Sequence, residues 1–350
     1  LPKQYIQNFL QNKKWIPYGL AFGFSILSII AGISIGTVSV PPIDILTIIG
    51  AKIFRLELPS TIDTMFVNIV YSIRLPRVIL AFLVGGSLAV AGAAFQGLLR
   101  NPLADPYTLG VSSGASVGAV VTLFFQLSIP FIGIFTLPFL SIICSIITVI
   151  LVLSFAQKVE RSMKVETIIL TGIIFSSFLG SLISLMIALT GEELRQIIGW
   201  LLGSVSMRGW DYVKIILPFF LLGIVLIGFN AKELNAMSFG EEQAQHLGIH
   251  VQRRKLLILV SSSILTGSAV AVSGTIGFVG LVVPHFVRQL VGHNHVHLLP
   301  LSILLGGGFL VLADLVARTI ITPSELPIGV ITALIGAPIF GYILMKKRGS

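Results

Sequence analysis

Charge is scarce in this chain. Of its 350 residues 11% are Asp, Glu, Lys or Arg, where a soluble domain carries about 25%. With 55% hydrophobic residues and a mean hydropathy of +1.00, the chain could not cover its own surface in water and reads as an integral membrane protein. Cysteine is nearly absent. Cys144 stands alone inside an apolar run, which excludes an intrachain disulfide and a cysteine-built metal site. No glycine is followed by lysine, so a GxxxxGK[ST] phosphate-cradling loop is excluded. The apolar runs do not alternate at period two, which leaves helices rather than a closed barrel as the way to satisfy the backbone in lipid. The 23 basic residues outnumber the 14 acidic ones, a net charge of +9. They form no concentrated face for nucleic acid; they punctuate the apolar runs, as topology determinants do.

What is present is a series of apolar runs long enough to cross a bilayer core about 30 Å thick. They predict an all-α polytopic membrane protein with ten spans, near 16–40, 70–97, 109–127, 131–156, 165–190, 212–229, 256–273, 276–292, 298–317 and 327–345. The apolar piece 196–205 is too short to cross and reads as a re-entrant or surface helix. The first run is too long for a signal-peptide core and lacks an A-x-A-like cleavage site, so it reads as a retained span. Ten is even, so both termini share a side. Placing them in the cytoplasm puts fifteen of the 23 Lys and Arg inside and eight outside, the bias that sets orientation. Residues 1–350 then form one transmembrane domain, with a cytoplasmic loop at 230–255 inside it.

That loop, "NAKELNAMSFGEEQAQHLGIHVQRRK", is the longest polar stretch. Gly240 and Gly248 divide it into two short helical pieces, marked by Leu234, Ala236 and Met237 and then by Ala244, Leu247 and Ile249. Neither can bury an apolar face within so short a loop. A docking surface for a cytoplasmic partner and a connector lying on the membrane both fit the pattern. His246 and His250 are spaced i, i+4 without the glutamate of HExxH, and "HNHVH" at 293–297 sits in a short turn; solvated or interfacial side chains account for both. Asp314 is the clearest ionisable residue within a span and needs a partner, for which Arg318 one turn later is suited. "GSLAVAG" at 86–92 and "GSAVAVSG" at 267–274 echo each other in oppositely directed spans, as an inverted repeat or a chance match of small residues would. "RNPLADP" at 100–106 interrupts two glycine-rich runs with Pro102, Pro106, Arg100 and Asp105.

Four ordered motifs resemble the FecCD-type permeases, membrane subunits of ATP-binding-cassette importers for iron–siderophores, haem and cobalamin. They are "RLPRVILAFLVGGSLAVAGAAFQGLLRNPLADPYTLGVSSGAS" (74–116), "FGEEQAQHLGI" (239–249), "SGTIGFVGLVVPHFVR" (273–288) and "ELPIGVITALIGAPIFGYIL" (325–344). The resemblance implies a cobalamin-permease-like bundle in a bacterial cell membrane. Its partners would be a second permease subunit, identical or homologous, two cytoplasmic ATPases and an extracytoplasmic substrate-binding protein, besides membrane lipid. This chain would then be a transport subunit rather than an enzyme, without a cofactor, ATP and Mg belonging to the ATPases. The coupling helices of the family fall on Leu234, Met237, Gly240, Ala244, Leu247 and Gly248. Arginines matching Arg74, Arg77 and Arg318 meet the binding protein. Spans five and ten lie nearest the axis, so Thr167, Thr171, Ser176, Ser177 and Ser184 are candidates to line the pathway. "RNPLADP" becomes a cytoplasmic hinge, with Arg100 and Asp105 expected in the wet interface. A self-sufficient secondary transporter would need coupling carboxylates within the spans, which are nearly lacking. A ferric siderophore is the expected cargo, with haem and cobalamin as alternatives.

Overall fold

The computed structural model describes residues 15–348 apart from 37, 60, 61, 162, 322 and 323. Residues 1–14 and 349–350, which carry part of the expectation that the termini share a side, lie outside the described residues. The chain begins with α1 (Trp15–Ser34) and a shorter α2 (Pro42–Phe54). A turn at Thr64–Val67 and a π-helical stretch at Asn68–Arg74 lead without a break into α3 (Leu75–Leu98). A 3₁₀ turn at Pro106–Leu109 precedes α4 (Val111–Phe124), α5 (Thr136–Val159), α6 (Val165–Leu189) and the short α7 (Leu194–Leu201). After α8 (Gly209–Phe229) come two small helices, α9 (Ala231–Met237) and α10 (Glu241–His246). The last four are α11 (Val251–Ser273), α12 (Val279–Val291), α13 (His295–Thr319) and α14 (Ile328–Arg348).

Each of the ten expected spans corresponds to one of these helices, and α7 to the short apolar piece. α2 was not foreseen. It lies between the first two expected spans, with Ile45, Ile48 and Ala51 turned inward at helical spacing and Ile43, Leu46 and Phe54 exposed.

α3 is the axis around which the rest is packed. It is buried along nearly its whole length and touches α13, α11, α12 and α8. Lipid tails are as apolar as leucine, so helices in a membrane associate by close packing rather than by escape from water. Here glycine supplies the closeness. A Cβ on Gly85 would overlap the Gly306 carbonyl of α13, and one on Gly92 would overlap Gly280 of α12.

The polar interruption after α3 does not stay at the end of the bundle. Arg100 is exposed there, but the chain turns back inward: the Tyr107 hydroxyl donates to the Ile276 carbonyl at 2.8 Å, and Gly172 of α6 packs against the Thr108 carbonyl. Asp105 is half-buried, its carboxylate accepting from the Tyr107 amide at 2.9 Å, so the expectation of two wet side chains holds for Arg100 alone. α4 can therefore be short: 14 residues rise about 21 Å, less than a bilayer core. The break at Gly274–Phe278 after α11 has the same consequence for the 13-residue α12. The two echoing sequences thus mark antiparallel, packed helices, each followed by an intramembrane break in the α-helix and then a short helix, and the two breaks meet at Tyr107 and Ile276. Irregular backbone at this depth is tolerated because protein, not lipid, surrounds it.

Candidate functional site

Three regions carry the expected functional residues: the α9–α10 pair at one end, the outward face of α6, and an arginine cluster at the opposite end.

α9 and α10 are joined at Gly240, whose φ of 133° is open to glycine, and α10 ends at Gly248 with φ 80°. Leu234, Met237 and Ala244 face into the bundle, with exposures of 0%, 2% and 0%, and Gly240 is buried with them. Leu247 and Gly248 face out, Leu247 being 73% exposed. The apolar face expected to seek a partner is therefore mostly used to seat the two helices on their own chain. What projects is Leu247 together with Phe239, 78% exposed. Sequence reasoning passed over Phe239; an aromatic residue between two short polar helices is the signal that could have found it.

Polar contacts hold this pair in place. Glu233 meets Arg254 at 3.2 Å, and Glu241 meets Lys255 at 2.7 Å. Lys255 is 1% exposed and also donates to the Met163 carbonyl at 3.1 Å, so it joins α10 and α11 to the α5–α6 connection. Asn235 accepts from the His295 amide at 2.8 Å and donates to Asn294 at 2.9 Å, which ties α9 to the start of α13. His246 and His250 are exposed, as expected. Beside the pair lies a cavity of about 890 Å³ with Arg100, His285, Arg288, His293, His295 and Phe340 in its wall. No group of three metal-ligating side chains occurs among the described residues.

α6 is the least buried of the long helices. Ser177 and Ser184 are exposed on it, and Ser181, not anticipated, completes an i, i+4, i+7 stripe with them. Ser176 is half-buried against Gly110, and Thr171 is 3% exposed, its hydroxyl donating to the Thr167 carbonyl at 2.8 Å. Thr167 is half-buried and donates to Glu160 at 2.6 Å. Three of the five named hydroxyl residues thus lie against this chain's own structure, and two lie on its open face.

At the other end Arg74, Arg77 and Arg318 do come together, but inward: they are 4%, 8% and 9% exposed. Arg77 is clamped by two carboxylates. Its Nε lies 3.0 Å and its Nη2 2.9 Å from Asp314, while Nη1 and Nη2 reach Glu325 at 2.8 and 3.1 Å. Arg318 stands 3.9 Å from Asp314 and donates to the Gly32 carbonyl. Asp314 therefore takes its main partner from α3, 237 residues away, and not from the next turn of its own helix. Chain spacing shows neighbours on one helix and is blind to a residue on another. Arg74 donates to the Ile33, Ser34 and Val38 carbonyls and closes off the end of α1. Burial pushes the Glu325 carboxyl up, but hydrogen bonds from Arg77 and Ser206 and the charges of Arg77 and Arg318 outweigh it, and the net shift is down.

The sequence model of the FecCD transport family matches residues 24–346. The uncharacterized ABC transporter permease protein YvrB of Bacillus subtilis is 59% identical over 97% of this chain and 96% of its own length. The cobalamin import system permease protein of Halobacterium salinarum is 42% identical over 87% of this chain and 79% of its own. Other relatives are named for import of molybdate, hemin, Fe(3+) dicitrate and iron(3+)-hydroxamate. A solved inward-facing structure of a metal-chelate type ABC transporter superposes with a TM-score of 0.82 at 33% identity, over 95% of this chain and 99% of that one.

Proposed function

Since the chain belongs to the FecCD transport family and is a permease of an ABC importer, we propose that it carries a ferric siderophore, or a similar ferric chelate, into the cytoplasm. The energy comes from ATP and Mg on a separate ATPase that seats against the α9–α10 end. The observation that carries the coupling part is the projection of Phe239 and Leu247 from a helix pair whose other apolar side chains are buried or half-buried and which is ion-paired to its own bundle. Such a pair moves with the permease as a lever, and its two exposed apolar side chains are what a partner can grip. On this reading the α9–α10 end and both termini are cytoplasmic, two ATPases lie below, and a second permease subunit faces α6 and α14. A bulky chelate slides better over hydroxyls than over fixed charge, and the open face of α6 offers Ser177, Ser181 and Ser184.

The extracytoplasmic binding protein docks at the Arg74–Arg77–Arg318 end. There the three buried arginines hold the frame, and exposed Arg55 and Arg195 supply the charge that acidic lobes meet. A cobalamin cargo is the second reading, favoured by the relative named for cobalamin import at 42% identity.

The test is uptake into proteoliposomes holding the permease, its ATPase and its binding protein, with ferric siderophores, haem and cobalamin offered in turn. ATP-dependent uptake of a ferric chelate is expected. Uptake of cobalamin with no ferric chelate carried selects the second reading, and uptake without the ATPase overturns both.

A further inference from the structure

A groove of about 610 Å³ runs between α5 and α11 on the outside of the bundle. Val149, Ile150 and Leu153 of α5 and Leu256, Val260 and Ile264 of α11 make its apolar walls. From Ser145 to Gln157 it follows thirteen residues of α5, about 18 Å of rise from first to last, close to the ~15 Å of hydrocarbon in one leaflet. At the end nearer α9–α10 the walls turn polar: Gln157, Gln252, Arg161 and Arg253 line it there. Both arginines are exposed and have no carboxylate partner among the described residues. Their neighbours do. Lys164 meets Glu160 at 2.7 Å, Arg254 meets Glu233 at 3.2 Å and Lys255 meets Glu241 at 2.7 Å.

A groove facing lipid is filled by lipid, and filling it restores the packing contacts an empty one would lose. Tails alone give no preference among lipids, because every tail is equally apolar. Preference must come from the polar end. Two unpaired guanidinium groups at the leaflet boundary suit a phosphate, which each fork can hold with two N–H groups. Basic pockets between membrane helices select anionic headgroups in this way.

We propose that the α5–α11 groove is a binding site for an anionic phospholipid, with one acyl chain along the apolar walls and the phosphate between Arg161 and Arg253. The headgroup then bridges the α5–α6 connection to the start of α11, the two places that Lys255 already joins from inside.

The test uses the full-length permease, purified in detergent and given dioleoylphosphatidylglycerol or dioleoylphosphatidylcholine in mixed micelles. Bound lipid is counted by native mass spectrometry and thermal stability is followed in parallel. The wild type is expected to prefer the anionic lipid roughly tenfold or more, taking two cations near the surface as the source. Arg161→Gln with Arg253→Gln should bring the preference near one while leaving the melting temperature in lipid-free detergent unchanged, both side chains being exposed. Ile150→Trp, at a position 57% exposed in the groove wall, should reduce retention of either lipid with the arginines intact. Equal binding of the two lipids by the wild type overturns the proposal, as does undiminished preference in the double variant. Protection by glycerol phosphate equal to that by the intact lipid also overturns it, because the acyl groove would then have no part.

Discussion

At the scale of the residue, the Arg77 guanidinium replaces what water would give two carboxylates from different parts of the chain. Asp314 is 1% exposed on α13, and Glu325 sits in the connection to α14, so one side chain of α3 fastens three elements. Removing one partner of a buried pair costs more than the pair contributes, because a charge is left stranded. Arg77→Ala leaves Asp314 with only Arg318 at 3.9 Å. A loss of about 3–5 kcal/mol is expected, read as a lower unfolding midpoint in detergent. Arg77→Lys should recover part of it, since an ammonium cannot fork to both carboxylates.

The depressed Glu325 carboxyl gives this cluster a pH dependence whose sign follows from linkage. Its share of stability is present above the ordinary glutamate range and is lost as pH falls through the lowered folded value. Its side chain is 39% exposed, so solvent screening keeps the share to about 1 kcal/mol or less. Thermal unfolding followed from pH 6 downward should show this loss in the wild type and not in Glu325→Gln. Asp105 works by geometry: its carboxylate caps the turn at Pro106–Leu109 by accepting from the Tyr107 amide. Asp105→Asn keeps an acceptor for the Tyr107 amide and should be tolerated, whereas Asp105→Ala loses the cap, at a cost of about 1 kcal/mol read as a lower unfolding midpoint.

At the scale of the element, the difference between what the sequence announces and what it hides has a physical source. Apolar length is a one-dimensional property, so the ten apolar runs were legible as helices at their positions, and among the described residues seven of these helices are long and apolar enough to cross a bilayer. Which side of a short helix meets its own bundle is a three-dimensional property, and the α9–α10 residues show the difference. Ala244 and Leu247 look alike as apolar marks in a polar loop, yet one is 0% and the other 73% exposed. Likewise "RNPLADPYTLG" reads as a turn because of its prolines, while its return into the bundle depends on Tyr107 reaching Ile276, far along the chain. Ala244 in α10 and Leu247 just after it should also separate coupling from folding. Leu247→Asp should leave the permease stable and abolish ATP-driven uptake, because a charge would enter the proposed contact with the ATPase. Ala244→Asp should instead lower stability, since the carboxylate would be buried without a partner. Uptake at the wild-type rate in Leu247→Asp would remove α10 from the coupling surface.

For the whole molecule, the glycine contacts around α3 decide how the bundle responds to a change in volume. α3 meets α13 at Gly85 and α12 at Gly92, where a Cβ would overlap the opposing backbone. A backbone cannot swing aside as a flexible side chain can. Gly92→Ala must therefore push α12 away from α3, and α12 is connected through the Gly274–Phe278 break to α11 and through that break to Tyr107. The strain is expected to reach the place where the two intramembrane segments meet. Overpacking of this kind costs about 1–3 kcal/mol. Gly50→Ala is the control, because nothing lies within 4 Å of a Cβ there. Both variants are compared by unfolding midpoint and by labelling of a cysteine placed at Thr108 in a Cys144→Ser background. Gly92→Ala should lower the midpoint and open Thr108 to a water-borne thiol reagent, while Gly50→Ala changes neither. If Gly92→Ala lowers the midpoint with Thr108 still protected, the two breaks are held by their local contacts and not through α3.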